Sequence, residues 1–157
     1  MGCLARVLID TTYLLPAAGI AVEGVPPDAI RRIKDAGHEV LASEISLFEV
    51  LAKGAKLVSE GKADPGRVSL AVKSILNDGS IGKVEAYTED TMTMAIELRG
   101  HHSDFVDCLI LASAAKECDT LITEDSGVPK NDDLMKAVLR HKPKFRIPKL
   151  RELLTKH

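Results

Sequence analysis

Two short runs in this chain, Val7-Leu8-Ile9 and Thr120-Leu121-Ile122-Thr123, show no alternation of apolar and polar residues. A strand of that kind is buried on both faces, as happens in a parallel sheet covered by helices on either side. Each run leads directly into acid, the first into Asp10 and the second into Glu124 and Asp125. The ligand-binding crevice of such a sheet lies at the carboxyl ends of its strands. Asp10 and Asp125 are therefore expected at that edge.

The rest of the chain alternates in the same sense. Glu39 to Ala42 and Ile81 to Tyr87 read as further strands, and Phe145 to Ile147 as a last one. Between them, helices are expected over 27–36, 44–60, 65–77, 88–98, 104–116 and 131–140, with a terminal helix from Pro148. Ser43, Thr88 and either Ser103 or Asp104 stand where N-caps belong. Ile45, Phe48, Leu51 and Ala52 suggest the buried stripe of the helix over 44–60, and Val68, Ala71, Val72 and Ile75 that of the helix over 65–77. Between Asp10 and Pro27, the breakers Pro16, Gly19 and Gly24 predict a turn-rich apolar connection. The fold expected is α/β, a three-layer α/β/α sandwich with a mostly parallel central sheet, as a single domain over residues 1–157.

Composition excludes several roles. With 45% hydrophobic and 28% charged residues, the chain is of ordinary globular make-up. No apolar run reaches the roughly 20 residues that a membrane span needs. MGCLARVLID runs straight into a strand, which leaves no room for a signal peptide, and Arg6 stands where a myristoylation motif wants Ser or Thr. A cytoplasmic protein is expected. Cys3, Cys108 and Cys118 form no metal-binding spacing and read as small buried hydrophobes. His101 and His102 read as solvated loop residues. A net charge of −2 argues against non-specific coating of nucleic acid. Aromatic residues, at 3%, are too few for a base-stacking platform. The C-terminal stretch is nonetheless basic, and Lys142, Lys144 and Arg146 are its candidates for RNA phosphate contact.

Two further acids sit inside apolar helical segments: Glu49, between Phe48 and Val50, and Asp107, at the head of CLILASAA. Asp104, three residues before Asp107, shares its helix side. Asp10, Glu49, Asp107 and Asp125 converging at one sheet edge would repel each other. A hard divalent cation, Mg²⁺ or Mn²⁺, relieves that repulsion with carboxylate and water oxygens. Such an ion suits phosphodiester hydrolysis.

The ordered pieces VLIDTT, SEISLFEV, DFVDCLILASAA and TLITED resemble the PIN-domain ribonucleases, especially the prokaryotic VapC-type toxins. The resemblance implies a metal-dependent endoribonuclease in which Asp10, Glu49, Asp107 and Asp125 are catalytic and metal-binding, with Asp104 as auxiliary or competitor for the third position. Thr12 and Thr123 match supporting polar positions, and Ser43 matches a small hydroxyl residue six positions before the helix acid. The family further implies an RNA substrate, a homodimer and a small antitoxin partner. Glu124 departs from the pattern, since relatives commonly carry a basic or neutral residue beside the last acid.

Other readings fit less well. A haloacid-dehalogenase-type phosphatase needs a second Asp at the position of Thr12, a Toprim nuclease needs a DxD that TLITEDS lacks, and a Rossmann domain needs glycines that DTTYLLP lacks. The alternative kept open is a PIN-like module that binds RNA or protein without cutting.

Overall fold

The computed structural model describes residues 4–155, so Cys3 and the start of the myristoylation motif weighed above lie outside the described residues. Strands β1 (Arg6–Ile9), β2 (Glu39–Ser43), β3 (Ile81–Val84) and β4 (Thr120–Ile122) form one sheet in the order β3-β2-β1-β4. Every pairing is parallel. Leu8 lies opposite both Leu41 and Leu121, so β1 is central. Val7, Leu8 and Ile9 are all fully buried, as their unbroken apolar run demands.

Period-two alternation sorts the strand residues between two cores. Leu8, Leu41 and Leu121 face one, which is completed by α5 (Glu89–Leu98), α6 (Phe105–Glu117) and α8 (Asp132–His141). Val7, Ile9, Val40, Ala42 and Ile122 face the other. That core is covered by α1 (Thr11–Leu14), α2 (Ala29–Asp35), α3 (Glu44–Ser59), α4 (Pro65–Asn77) and α9 (Leu150–Thr155). A short α7 (Gly127–Lys130) follows β4. The three-layer α/β/α arrangement expected from the sequence is the one observed. None of the described helices is long and apolar enough to cross a membrane.

The helix starts follow side-chain chemistry. Ser43 Oγ accepts from the Ile45 N–H at 3.2 Å, and Thr88 Oγ1 accepts from the Thr91 N–H at 3.2 Å. Asp104, rather than Ser103, caps α6, accepting from the Val106 and Asp107 N–H groups. Helix α6 lies between the sheet and its neighbouring helices, which is why Cys108 through Ala115 are buried on every side. Cys108 and Cys118 are both buried free thiols, and burial pushes the Cys118 thiol up to about 12.

Four expectations need correction. The buried face of α3 is formed by Ile45, Ser46, Leu47, Val50 and Gly54, while Phe48, Leu51 and Ala52 are exposed. The helix meets α4 through its small residue rather than through its large ones. The apolar connection after Asp10 is partly helical, with α1 and a 3₁₀ turn at Pro16–Ala18, and it buries Tyr13, Leu14, Leu15 and Val25 in the chain's own core. Strand β3 ends at Val84, three residues early. The last strand is a single bridge, Thr120 to Arg146, held by Leu121 N–H to Arg146 O at 3.0 Å. Pro143 and Pro148 bracket this segment, and neither can donate to a ladder.

Gly54 makes the α3–α4 contact testable. A Cβ there would collide with the Val68 side chain of α4. Gly54→Ala should therefore destabilise the fold by about 1–3 kcal/mol through overpacking. It does so against the ~1 kcal/mol that Ala gains over Gly in a helix interior. Urea unfolding measures the shift, and a variant as stable as the parent would show that the two helices separate without cost.

Candidate active site

Parallel pairing of β1 with β4 sets the site's geometry. Asp10 leaves β1 beside β4, its N–H donating to Ile122 O at 3.0 Å. Its carboxylate is then held from two directions. Oδ1 accepts from the Thr11 N–H at 2.7 Å and Oδ2 from Thr123 Oγ1 at 2.8 Å. Thr123 Oγ1 also accepts from the Asp125 N–H at 3.1 Å, so one hydroxyl joins the ends of both strands. Asp125 Oδ1 accepts from the Gly127 N–H at 2.9 Å, which folds the turn into α7.

Glu49 approaches from α3. Its Oε1 accepts from Thr11 Oγ1 at 2.6 Å. The threonine that reaches Glu49 is thus the buried Thr11, whereas Thr12 Oγ1 is buried without a hydrogen-bond partner among the described residues. Asp107 approaches from the first turn of α6, and its Oδ2 lies 2.9 Å from His102 Nε2.

These acids feel one another. Burial pushes the Asp10 carboxyl above its ordinary range. The hydrogen bonds from Thr123 and Thr11 oppose that rise, and the charges of Asp107 and Glu49 reinforce it. Asp107 is also raised, first by burial; His102 opposes the shift, while the charges of Asp104 and Asp125 add to it. Asp107 therefore couples directly to Asp10, and Asp104 couples to Asp107. Asp104 is exposed and its Oδ1 is engaged by two backbone N–H groups of α6. Among the described residues, no three His, Cys, Asp or Glu side chains stand close enough to share one metal ion. The donor set is nonetheless all hard oxygen, and two of its carboxylates are held in surroundings that disfavour their charge, which fits Mg²⁺ or Mn²⁺.

Two residues have roles that their sequence context concealed. His102 is not a solvated loop residue: it is half-buried against Asp107, while its neighbour His101 is exposed. Its spacing, five residues before an acid across a loop and a helix start, gives no periodic signal. Glu124, the departure from the expected pattern, accepts a hydrogen bond from the Tyr13 hydroxyl. Burial and this contact with Glu124 together raise the Tyr13 phenol, so it stays protonated as a donor. The added negative charge beside Asp125 is thus bound to α1.

The basic residues are placed differently from the acids. Lys142 Nζ donates to Cys118 O and lies 3.7 Å from Asp119. Both partners precede β4, so Lys142 is committed at the amino edge of the sheet, about 10 Å from the acids at the strand rise of ~3.3 Å per residue. Lys144 and Arg146 are exposed, and Arg146 bridges to Thr120 at the same amino end.

A parallel sheet with acids from two strand ends and two helices near its carboxyl edge, where the strand order reverses between β1 and β4, defines an α/β protein of the open-sheet kind. The chain belongs to the PIN-domain family, whose model matches residues 7–134, a span containing Asp10, Glu49, Asp107 and Asp125. That family is one of nucleases. Solved structures share the fold. A chain of VapBC2 from Rickettsia felis, bound to a DNA fragment from the promoter, superposes with a TM-score of 0.59 at 16% identity, covering 92% of this chain and 98% of that one. A chain of FitAcB from Neisseria gonorrhoeae superposes with a TM-score of 0.55 at 14% identity, covering 91% and 97%. At such identities the likeness is one of fold. No curated protein sequence matches the chain.

Proposed function

We propose that this protein is a divalent-metal-dependent endoribonuclease that hydrolyses RNA phosphodiester bonds, and that it acts as the toxin of a toxin–antitoxin pair. The observation that carries the reading is Asp10, desolvated at the end of the central strand and repelled by Glu49 and Asp107. A structural cap would sit more cheaply in solvent. A carboxylate kept buried beside two others is suited to receiving a cation.

Asp10, Glu49, Asp107 and Asp125 are the residues assigned to the metal, with Asp104 at the rim. When bound, Mg²⁺ or Mn²⁺ supplies positive charge to the scissile phosphate and the attacking water. The chain's own part is positioning. Thr123 and the Thr11 N–H orient the two oxygens of Asp10, Thr11 Oγ1 orients Glu49, and His102 orients Asp107. Such outer contacts matter to metal sites as ligands do, with losses of about 10–100-fold in affinity or activity when removed. Thr11→Val should therefore weaken Mn²⁺ binding by about that factor. Thr11→Ser, which keeps the hydroxyl, should restore it, as titration calorimetry would show.

The toxin role and the antitoxin partner are inferred from the VapBC2 and FitAcB likeness. A homodimer belongs to the same proposal, supported by exposed Met92 and Ile96, one turn apart on α5. The test of the activity is incubation of the purified chain with single-stranded RNA in Mn²⁺, with and without chelator. Cleavage that chelator abolishes is expected. Intact RNA in Mn²⁺ would favour the second reading, a PIN-like binding module, which the lack of a ready three-ligand cluster among the described residues also favours.

A further inference from the structure

Beside Asp125 lies a groove of about 870 Å³, walled on one side by the turn after β4 and on the other by α9, with Arg32 of α2 at its rim. Its position follows from the bridge at Arg146. Because that bridge is parallel, the chain beyond it runs alongside β4 toward the carboxyl edge, and delivers Lys149 and Arg151 to the same groove as Thr123 and Asp125. Lys130, at the end of α7, joins them.

The cations of this groove differ in availability from those at the amino edge. Lys130, Lys149 and Arg151 are exposed, and none is ion-paired among the described residues. Arg32 is held by Asp28 at 3.0 Å, and Lys142 by Asp119. Of the groove's acids, Glu124 is bound by Tyr13, Asp125 stands at the catalytic end, and Glu152 lines the wall beside Arg151. Three unpaired cations thus flank a track that opens at the proposed catalytic edge. The wall between them includes Ile147, Leu150 and Leu154, which offer apolar contact for ribose and base faces without an aromatic platform.

The geometry points to this groove as the track for the RNA backbone leading away from the scissile phosphate, with Lys130, Lys149 and Arg151 as its phosphate contacts. The inference rests on the endoribonuclease reading and replaces Lys142 as the phosphate-binding centre of the basic C-terminal stretch. An extended acidic protein segment is the competing occupant. The length of single strand that binds is set by the groove, so contact with about three phosphates is expected.

The experiment measures fluorescence anisotropy of a labelled oligouridine with the full chain in EDTA, where it stays uncut, across a series of salt concentrations. Each phosphate contact to a single strand contributes ~0.7 to the slope of log affinity against log salt. The triple variant Lys130→Ala, Lys149→Ala, Arg151→Ala should lose about two units of slope and bind at least ~10-fold more weakly at low salt. Lys144→Ala with Arg146→Ala should keep the parental slope. Because all of these side chains are exposed, circular dichroism should be unchanged. A triple variant that binds like the parent, while the parent cuts RNA in Mn²⁺, overturns the groove and leaves the nuclease reading standing. Failure of the parent both to bind and to cut overturns that reading itself.

Discussion

Asp10→Asn should lower RNA cleavage in Mn²⁺ by at least ~100-fold, since even outer-shell losses at metal sites cost about 10–100-fold. Asp10 is the acid on which the other contacts converge. Thr123 joins it to β4, Thr11 follows it into α1 and bonds Glu49, and the charge of Asp107 raises it further. The Asn side chain preserves the shape: its amide oxygen still accepts from the Thr11 N–H, and its Nδ2 donates to Thr123 Oγ1 where the carboxylate accepted from it, so the loss reports charge rather than packing. The same change should raise stability in chelator, because it removes a desolvated and repelled carboxylate. Opposite signs for activity and stability separate a functional acid from a structural one. Asp104→Ala should fall less in activity and should lower stability, since Asp104 caps α6 through two N–H groups. Single-turnover cleavage and thermal melts of the three proteins make the comparison. An Asp10→Asn variant that is destabilised yet active would turn Asp10 into an ordinary cap of α1.

The second large effect is a coupling of stability to pH and metal. Asp10 and Asp107 both have folded-state values raised above the ordinary carboxylate range. A raised value means the native state holds the proton more tightly than the unfolded chain. The associated stability is fully present below the unfolded value of about 4 and is lost as pH rises through the folded value. In chelator, the protein should therefore melt at a lower temperature at neutral pH than at about pH 5. Asp28, Asp78 and Glu97 are shifted downward by their hydrogen bonds, so their contributions are lost only at more acidic pH and do not mask this window. Mn²⁺ needs the ionised acids, and its effect should run the other way. At a hundred-fold excess over Kd, binding to the native state adds about 2.7 kcal/mol. That shift is worth roughly 5–10 °C in a chain of this size. It should be large at neutral pH, smaller near pH 5, and absent in Asp10→Asn. Differential scanning fluorimetry over that range measures both trends. A pH-independent melt that Mn²⁺ leaves unmoved would contradict both.

Much of this architecture is visible in the residues. The unbroken apolar runs at Val7–Ile9 and Thr120–Ile122 required burial on two faces, and a parallel sheet with helices on both sides followed. Caps at Ser43 and Thr88 are local chemistry legible in the residues, whereas the choice between Ser103 and Asp104 is made only by the start of α6. What escaped was set by tertiary packing. The α3 stripe departs from the sequence pattern because the helix docks through Gly54, so the large residues Phe48 and Leu51 face outward. His102 reads as a solvated residue in the sequence because nothing in its spacing reveals the loop that folds it onto Asp107. Thr11 and Thr12 are indistinguishable until the first turn of α1 decides which hydroxyl meets Glu49. Glu124 reads as surplus charge in the sequence because its partner, Tyr13, lies 111 residues away. The basic tail was legible as charge, but only the bridge at Arg146 separates Lys142 at one sheet edge from Lys149 and Arg151 at the other.

The central claim is that the acids at the carboxyl edge receive a divalent cation. The most direct measurement is an anomalous difference map from crystals of this protein soaked in Mn²⁺. The account predicts a peak bonded to Asp10, with Glu49 or Asp107 turned from its present partner to share the ion. A map with no peak at Asp10, or with its only peak at other residues, would contradict it.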